Sequence, residues 1–309
     1  MTEFKLGLNT SFALNRWPLP EEWIGIIADD LGVKYVQLYT DMLDPVLVSE
    51  PHWRRVAGQI RDLARAKGVE ICGSGSGAIP HQTNFLLHPD PELRLDFINW
   101  YRAMIDLTAA MGAPSAGLYL GALSMADIAD SARKRQLLAE YVAIMADLSR
   151  HARDQGLKYL LVEPMSIPRE YPSTIAETRE IYARLKDALA LPVYLNLDVG
   201  HLNLISADPE DRDPYAWIRE LGADCRVLHL QQTDIVSSPH WPFTAEHNTR
   251  GVVEAERILS CVEATGVEEI YLIMELFFKP FGATDEIVLR SMRESVNYWQ
   301  QALVKRQQL

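Results

Sequence analysis

Residues 193–201 read VYLNLDVGH, an apolar run that closes on Asp198 with His201 three positions later. Near-continuous hydrophobics of this length, without polar alternation, mark a parallel strand buried on both faces. The same grammar recurs along the second half of the chain. LLVEP at 160–164 closes on Glu163, VLHLQQTD at 227–234 carries His229 and Gln231, and YLIMEL at 271–276 carries Glu275. A carboxylate inside an apolar strand is costly to bury alone, because an unpaired ion loses its hydration. Any one of these carboxylates could pair with an arginine or cap the next helix. Four consecutive strands bearing a ligand-type side chain at the same end point instead to a shared countercharge, and a divalent cation is the simplest one. Glu163, Asp198, His229 and Glu275 form a mixed oxygen and nitrogen set suited to Mn2+, Mg2+, Co2+ or Zn2+. No thiolate takes part, which argues against a structural zinc site.

Working outward, apolar segments fall at 4–9, 35–39, 69–73, 115–120, 159–163, 193–198, 227–231 and 271–275. Helical stripes lie between them. Phe97, Tyr101, Met104, Ile105 and Thr108 share one face, as do Val288, Met292, Val296 and Trp299. Pro91 and Thr284 stand where helices should start, and Gly112 and Gly266 where they should end. Eight strands alternating with about eight helices predict an α/β fold with a closed parallel sheet, the (β/α)8 barrel. The chain's 309 residues exceed the roughly 250 typical of such a barrel, and uneven loops take up the difference. No Pro-, Gly- or Ser-rich linker divides it, so 1–309 reads as one domain. The long segments near 74–91, 164–174, 199–213 and 232–252 all follow strands, which places them on the rim where barrels build their sites.

Composition narrows the function further. Hydrophobic residues make up 48% of the chain, enough for a large core, and 30 basic against 42 acidic residues give a net charge of -12. Such a surface repels phosphate backbones, so nucleic acid is not an expected partner. No run approaches the ~18 apolar residues of a membrane span. The opening MTEFKLGLNT lacks a basic stretch followed by an apolar one, so no signal peptide is expected. Cys72, Cys225 and Cys261 are odd in number and widely spaced, as suits reduced thiols in a cytoplasm.

The remaining polar residues divide by position. The DVGH spacing sets His201 beside Asp198 on the rim. Gln231, two residues after His229, should share its face, as a ligand, a core polar group or, the favoured reading, a substrate hydrogen-bonder. His81 and His88 after strand 3, and His240 and His247 after strand 7, lie on rim loops; His81 and His240 are taken as candidate substrate contacts. His52 falls near a helix start and His151 on a solvated helical face. The GSGSG run at 73–77 lacks the lysine and helix start of a phosphate loop. Should the substrate carry phosphate, Arg250, Lys279 and Arg169 are the nearby cations, Arg250 foremost.

With these residues in place, the chain resembles the xylose-isomerase-like TIM-barrel superfamily of sugar and sugar-phosphate isomerases and epimerases. The likeness runs from LGLNT on strand 1 to MEL on strand 8, most specifically in Glu163, DVGH at 198–201, HLQQTD at 229–234 and Glu275. It implies that Glu163, Asp198, His229 and Glu275 hold one metal ion and that His201 touches substrate. More narrowly, HLQQTD followed by HWPFT, with HPDPELR at 88–94, is similar to the tetrulose-phosphate 3-epimerases of erythritol catabolism. The common strand-7 motif has Asp where this chain has Gln232, which leaves His229 and Gln231 as alternatives for the fourth ligand.

The expected chemistry is then epimerisation at C3 of a small ketose phosphate of the erythrulose 1-phosphate type. Glu163 and Glu275 would move the proton through an enediolate. An aldose–ketose isomerase of the same fold is the nearest alternative, followed by a polyol dehydratase. An abasic-site endonuclease would need histidines on early strands, which LGLNT and VQLYT do not supply. The expected partners are a small sugar or sugar phosphate and, as is common for soluble enzymes, further copies of the same chain.

Overall fold

The computed structural model describes residues 2–78, 80–234, 236–279 and 285–308. Eight parallel strands close in chain order, β1 back to β8, into a barrel. They are β1 Glu3–Asn9, β2 Tyr35–Tyr39, β3 Glu70–Gly75, β4 Ser115–Leu118, β5 Tyr159–Val162, β6 Val193–Asp198, β7 Cys225–Leu230 and β8 Glu269–Met274. Each overlaps the segment expected from its apolar run. The ends differ by a residue or two, so Glu163, Gln231 and Glu275 stand immediately after their strands and not within them.

The described helices are α1 Pro20–Gly25, α2 Glu50–Lys67, α3 Pro91–Ala110, α4 Met125–Ala129, α5 Ser131–Asp154, α6 Ile175–Ala188, α7 Pro214–Leu221, α8 Ala245–Asn248, α9 Ala255–Ala264 and α10 Asp285–Gln307. All but the short α4 and α8 form the outer layer. Helix α3 begins as its sequence dictates, with Pro91 in the first turn and the Asp90 carboxylate accepting from the Glu92 N–H. Tyr101, Met104, Ile105 and Thr108 are fully buried on its inner face. Gly112 and Gly266, at φ +75° and +76°, turn the chain out of α3 and α9 in the left-handed conformation that glycine adopts without strain. Thr284, the expected start of the last helix, lies outside the described residues. Val288, Met292, Val296 and Trp299 on α10 are all buried.

The two ends of the barrel differ in chemistry. At the N-terminal end the interior is plugged by Tyr35, Tyr159, Tyr194 and Tyr271 around Cys72 and Leu161. Glu269 there pairs with both Lys5, at 2.5 Å, and Arg226, at 2.6 Å. At the C-terminal end the inward side chains turn polar, and the long rim loops stand over them. No described helix is long and apolar enough to cross a membrane.

Candidate metal centre

Register brings the expected ligands together. Asp198 closes β6 and is paired directly with His229 on β7, while Glu163 and Glu275 arrive from just beyond β5 and β8. One ligand atom from each of Glu163, Asp198, His229 and Glu275 fits within a set whose members lie within 4.8 Å of one another. The His229 ring is the hub. Its Nδ1 lies 3.1 Å from Glu163 Oε1, 3.2 Å from Glu275 Oε2 and 4.0 Å from Asp198 Oδ2. Its Nε2–H donates to Gln37 Oε1 on β2 at 2.7 Å, which fixes the ring and aims Nδ1 at the carboxylates.

The donor set fits a divalent cation on three observations. Every ion pair these carboxylates make among the described residues is with a histidine. Asp198 Oδ2 is buried with no hydrogen-bond partner there, an orphan acceptor of the kind that folded proteins rarely leave without reason. The donors are oxygen and imidazole nitrogen, as such ions require.

The electrostatics agree. Burial alone would lower the basicity of His229, but Glu275 and Glu163 outweigh it and hold the imidazole well above its ordinary pKa. Burial would likewise raise the carboxyls, yet His229 keeps Glu163 and Glu275 below the usual range. Asp198, farther from the imidazoles, stays above it. Burial would lower His201 as well, but Asp198 and Glu163 hold its pKa above the ordinary value, so the three carboxylates share two basic imidazoles.

Around the hub, polar groups hold the ligands in place. Asn9 Nδ2 donates to Glu275 Oε1 at 2.6 Å. Asp198 Oδ1 accepts from the Gly200 N–H at 2.6 Å and from Gln231 Nε2 at 2.9 Å. A side chain at position 200 would collide with the Gln231 amide, so the glycine of DVGH makes room for this contact. Gln231 is fully buried and its Oε1 accepts from the His240 N–H at 2.7 Å. The amide is therefore turned to Asp198 and the loop after β7, and the expectation that it faces substrate is replaced by one of support. It is His229, with Gln231 behind Asp198, that stands among the three carboxylates.

A cavity of about 190 Å3 opens over the cluster. His81, His201 and His240 line it together with Tyr39, Met165 and Phe277. His201 is positioned by the Pro164 carbonyl, 3.3 Å from Nδ1. His240 takes a φ of +50°, donates from Nδ1 to the Glu275 carbonyl at 3.2 Å and packs edge-on against Phe277. His81 stacks on Tyr119 with ring centroids 3.9 Å apart, and burial pushes its pKa down to about 4. It is thus neutral near pH 7.

Other expected contacts lie elsewhere. Arg250 is exposed, pairs with Glu246 at 3.4 Å and covers the Trp241 ring, outside the cavity lining. The structure thus sets it apart from the cavity, where it was expected to meet substrate. Lys279 is exposed. His247 bonds to Thr244 on α8, and His88 accepts from the Asp90 N–H. His151 is half-buried and bonded to Asp106 at 2.7 Å, not on a solvated face. Among the cavity and support residues that went unread in the sequence are Gln37, Asn9 and Tyr39. Their signal was the polar or hydroxyl side chain inside the apolar strands of VQLYT and LGLNT.

Comparisons with known proteins follow this geometry. The sequence profile of the family described as "Xylose isomerase-like TIM barrel" matches residues 27–300. A D-erythrulose 1-phosphate 3-epimerase of Brucella abortus (strain 2308) is 31% identical over 295 residues, covering 95% of this chain and 94% of its own. A crystal structure from Rhodospirillum rubrum ATCC 11170, provisionally named a xylose isomerase, superposes with a TM-score of 0.89 at 32% identity, covering 96% of this chain and 99% of that one. A D-psicose 3-epimerase of Clostridium cellulolyticum H10 shares the fold, with a TM-score of 0.72 at 16% identity over 97% of this chain and 99% of its own.

Proposed function

Since the chain belongs to the xylose isomerase-like TIM barrel family, we propose that it is an isomerase that epimerises a short ketose phosphate of the erythrulose 1-phosphate type at C3. The observation that carries this reading is the placement of Glu163 and Glu275. They approach one imidazole nitrogen, at 3.1 and 3.2 Å, from the ends of β5 and β8, so two carboxylates face a common centre from different sides. Inverting a carbon by proton transfer needs such a pair, one group to take the proton and one to return it on the other face.

A divalent cation (Mn2+, Mg2+, Co2+ or Zn2+) held by Glu163, Asp198, His229 and Glu275 supplies Lewis-acid polarisation of the ketose carbonyl. The chain's own residues do the rest. One of the two glutamates takes the C3 proton and the other delivers one to the opposite face. Gln231 and the Gly200 N–H hold Asp198, Asn9 holds Glu275, and Gln37 holds His229, so these three keep their orientation without substrate. His201 offers Nε2, and His81 a neutral imidazole, to substrate hydroxyls. Tyr39, Met165 and Phe277 wall the cavity and exclude water. Its volume of about 190 Å3 falls below the ~300–1,000 Å3 of pockets for drug-sized ligands, which favours a short sugar. The name of the Brucella relative supports the phosphorylated tetrulose in particular.

The test is a pair of conservative substitutions. Glu163→Gln and Glu275→Gln should each lower epimer formation by about 10³-fold or more, with far-UV circular dichroism unchanged and metal content measured beside activity. Near-normal turnover by either variant refutes the assignment.

A further inference from the structure

A phosphorylated substrate poses a charge problem that the site as built does not solve. Three carboxylates converge beneath the cavity, and neither lysine nor arginine is among its lining residues. A phosphate dianion entering there requires a cation nearby. The described cations of the rim are mostly taken. Arg16 donates to the Phe278 and Lys279 carbonyls and pairs with Asp285. Arg133 pairs with Asp127, and Arg250 with Glu246. Lys279 is exposed and is not among the lining residues.

Arg169 is different. It sits on the loop after β5, six residues beyond Glu163 and four beyond the cavity-lining Met165. It is half-buried, yet among the described residues its guanidinium makes no hydrogen bond or ion pair. The backbone around it is fixed: its carbonyl accepts from the Leu123 N–H at 2.8 Å, and the Glu170 N–H donates to Ile167 at 2.9 Å. The obvious partner, Glu170, instead accepts from the Tyr119 hydroxyl at 3.3 Å. Tyr119 in turn stacks on His81 in the cavity wall, and Arg169 is near enough to act on the charges of both Tyr119 and Glu170. Half-burying a guanidinium without a partner costs free energy, and the loop carries Arg169 next to Glu170, whose partner Tyr119 stacks on the cavity-lining His81.

We propose that Arg169 binds the phosphate group of the substrate at the mouth of the cavity and so selects phosphorylated over free ketoses. This rests on the epimerase reading above. Arginine suits the task, since its planar fork matches phosphate oxygens two at a time.

Two measurements on the metal-loaded protein test it. In the first, kcat/KM is compared for erythrulose 1-phosphate and free erythrulose in wild type, Arg169→Met and Arg169→Lys. The methionine variant should lower the preference for the phosphorylated substrate by about 10- to 100-fold, the size of a lost charge-assisted contact, mainly through KM. The lysine variant should recover part of it. An unchanged preference in Arg169→Met overturns the proposal. In the second, inorganic phosphate is titrated calorimetrically into wild type and Arg169→Met. Weaker binding by the variant supports the assignment, and equal binding in both, or none in wild type, overturns it. If neither ketose turns over in any form, the epimerase reading fails, while the phosphate titration still decides the role of Arg169.

Discussion

Asp198, His229 and Glu275 are each held by a residue outside the candidate set, and Gln37 shows what that support should be worth. Its Oε1 accepts the His229 Nε2–H, so Gln37→Met leaves a buried donor unpaired and the ring free to turn. Metal affinity should fall by about 10- to 100-fold, the usual cost of losing such a partner, as read by competition with a chelator; an unaltered affinity would show that the contact does not orient the ligand. His81 offers a test with a defined sign. Its folded pKa of about 4 lies below the ordinary 6.5, so the unfolded chain binds more protons beneath pH 6.5. Stability from keeping it neutral is present above that pH and is lost as pH falls toward 4. Relative to His81→Gln, wild type should lose no more than about 2 kcal/mol between pH 7 and pH 5, measured by urea unfolding at each pH; parallel profiles would contradict this. The converging carboxylates were legible in the sequence because an isolated carboxylate stands out in an apolar strand. Gln37 and Gln231 were not, because a neutral amide in a strand carries no such cost. Its partner also depends on the fold: Gln37 meets His229 across the barrel, and the pleat that suggested Gln231 faces the cavity ends at Leu230.

The strands are where the sequence reading succeeds most fully. Continuous burial leaves a long apolar run between turn residues, so β2 and β6 match their expected bounds to the residue. Rim loops obey no such period. Their shape depends on single contacts, such as the Asp41 carboxylate that accepts the Ala78 N–H at 2.9 Å. Gly77 in that loop has φ +72°, and a side chain there would strike Asp41. Gly77→Ala should therefore destabilise the protein by about 2 kcal/mol and raise KM, because Gly77 lines the cavity. Chemical denaturation and steady-state kinetics check this together. A variant as stable as wild type, with the same KM, would mean that the loop accommodates the added carbon freely.

The whole molecule divides its labour along the barrel axis, with a tyrosine plug and the Glu269 ion pairs at one end and the converging carboxylates at the other. Stability and function are coupled through that second end. Without a cation, Glu163, Asp198 and Glu275 converge with only histidines as ion-pair partners among the described residues, so metal binding should strengthen the fold as a whole. At a metal concentration about 1,000-fold above its dissociation constant the gain is about 4 kcal/mol. For a chain of this size that corresponds to a Tm higher by roughly 6 °C, while chelator-treated and metal-loaded samples melting together would speak against a metal at this site. The barrel was legible from eight apolar runs, whereas the substrate expectation came from the resemblance alone, since cavity shape is set by loops from five different strands.

The most direct test of two glutamates exchanging a proton about one centre is proton NMR in D2O. Chelator-stripped protein is restored with Mn2+, Mg2+, Co2+ or Zn2+ and incubated with erythrulose 1-phosphate. The C3 proton signal should disappear only in the metal-restored samples, with the C3 epimer accumulating as deuterium enters. Exchange at C1 with an aldose appearing, or no exchange at any carbon with every metal, would contradict C3 epimerisation.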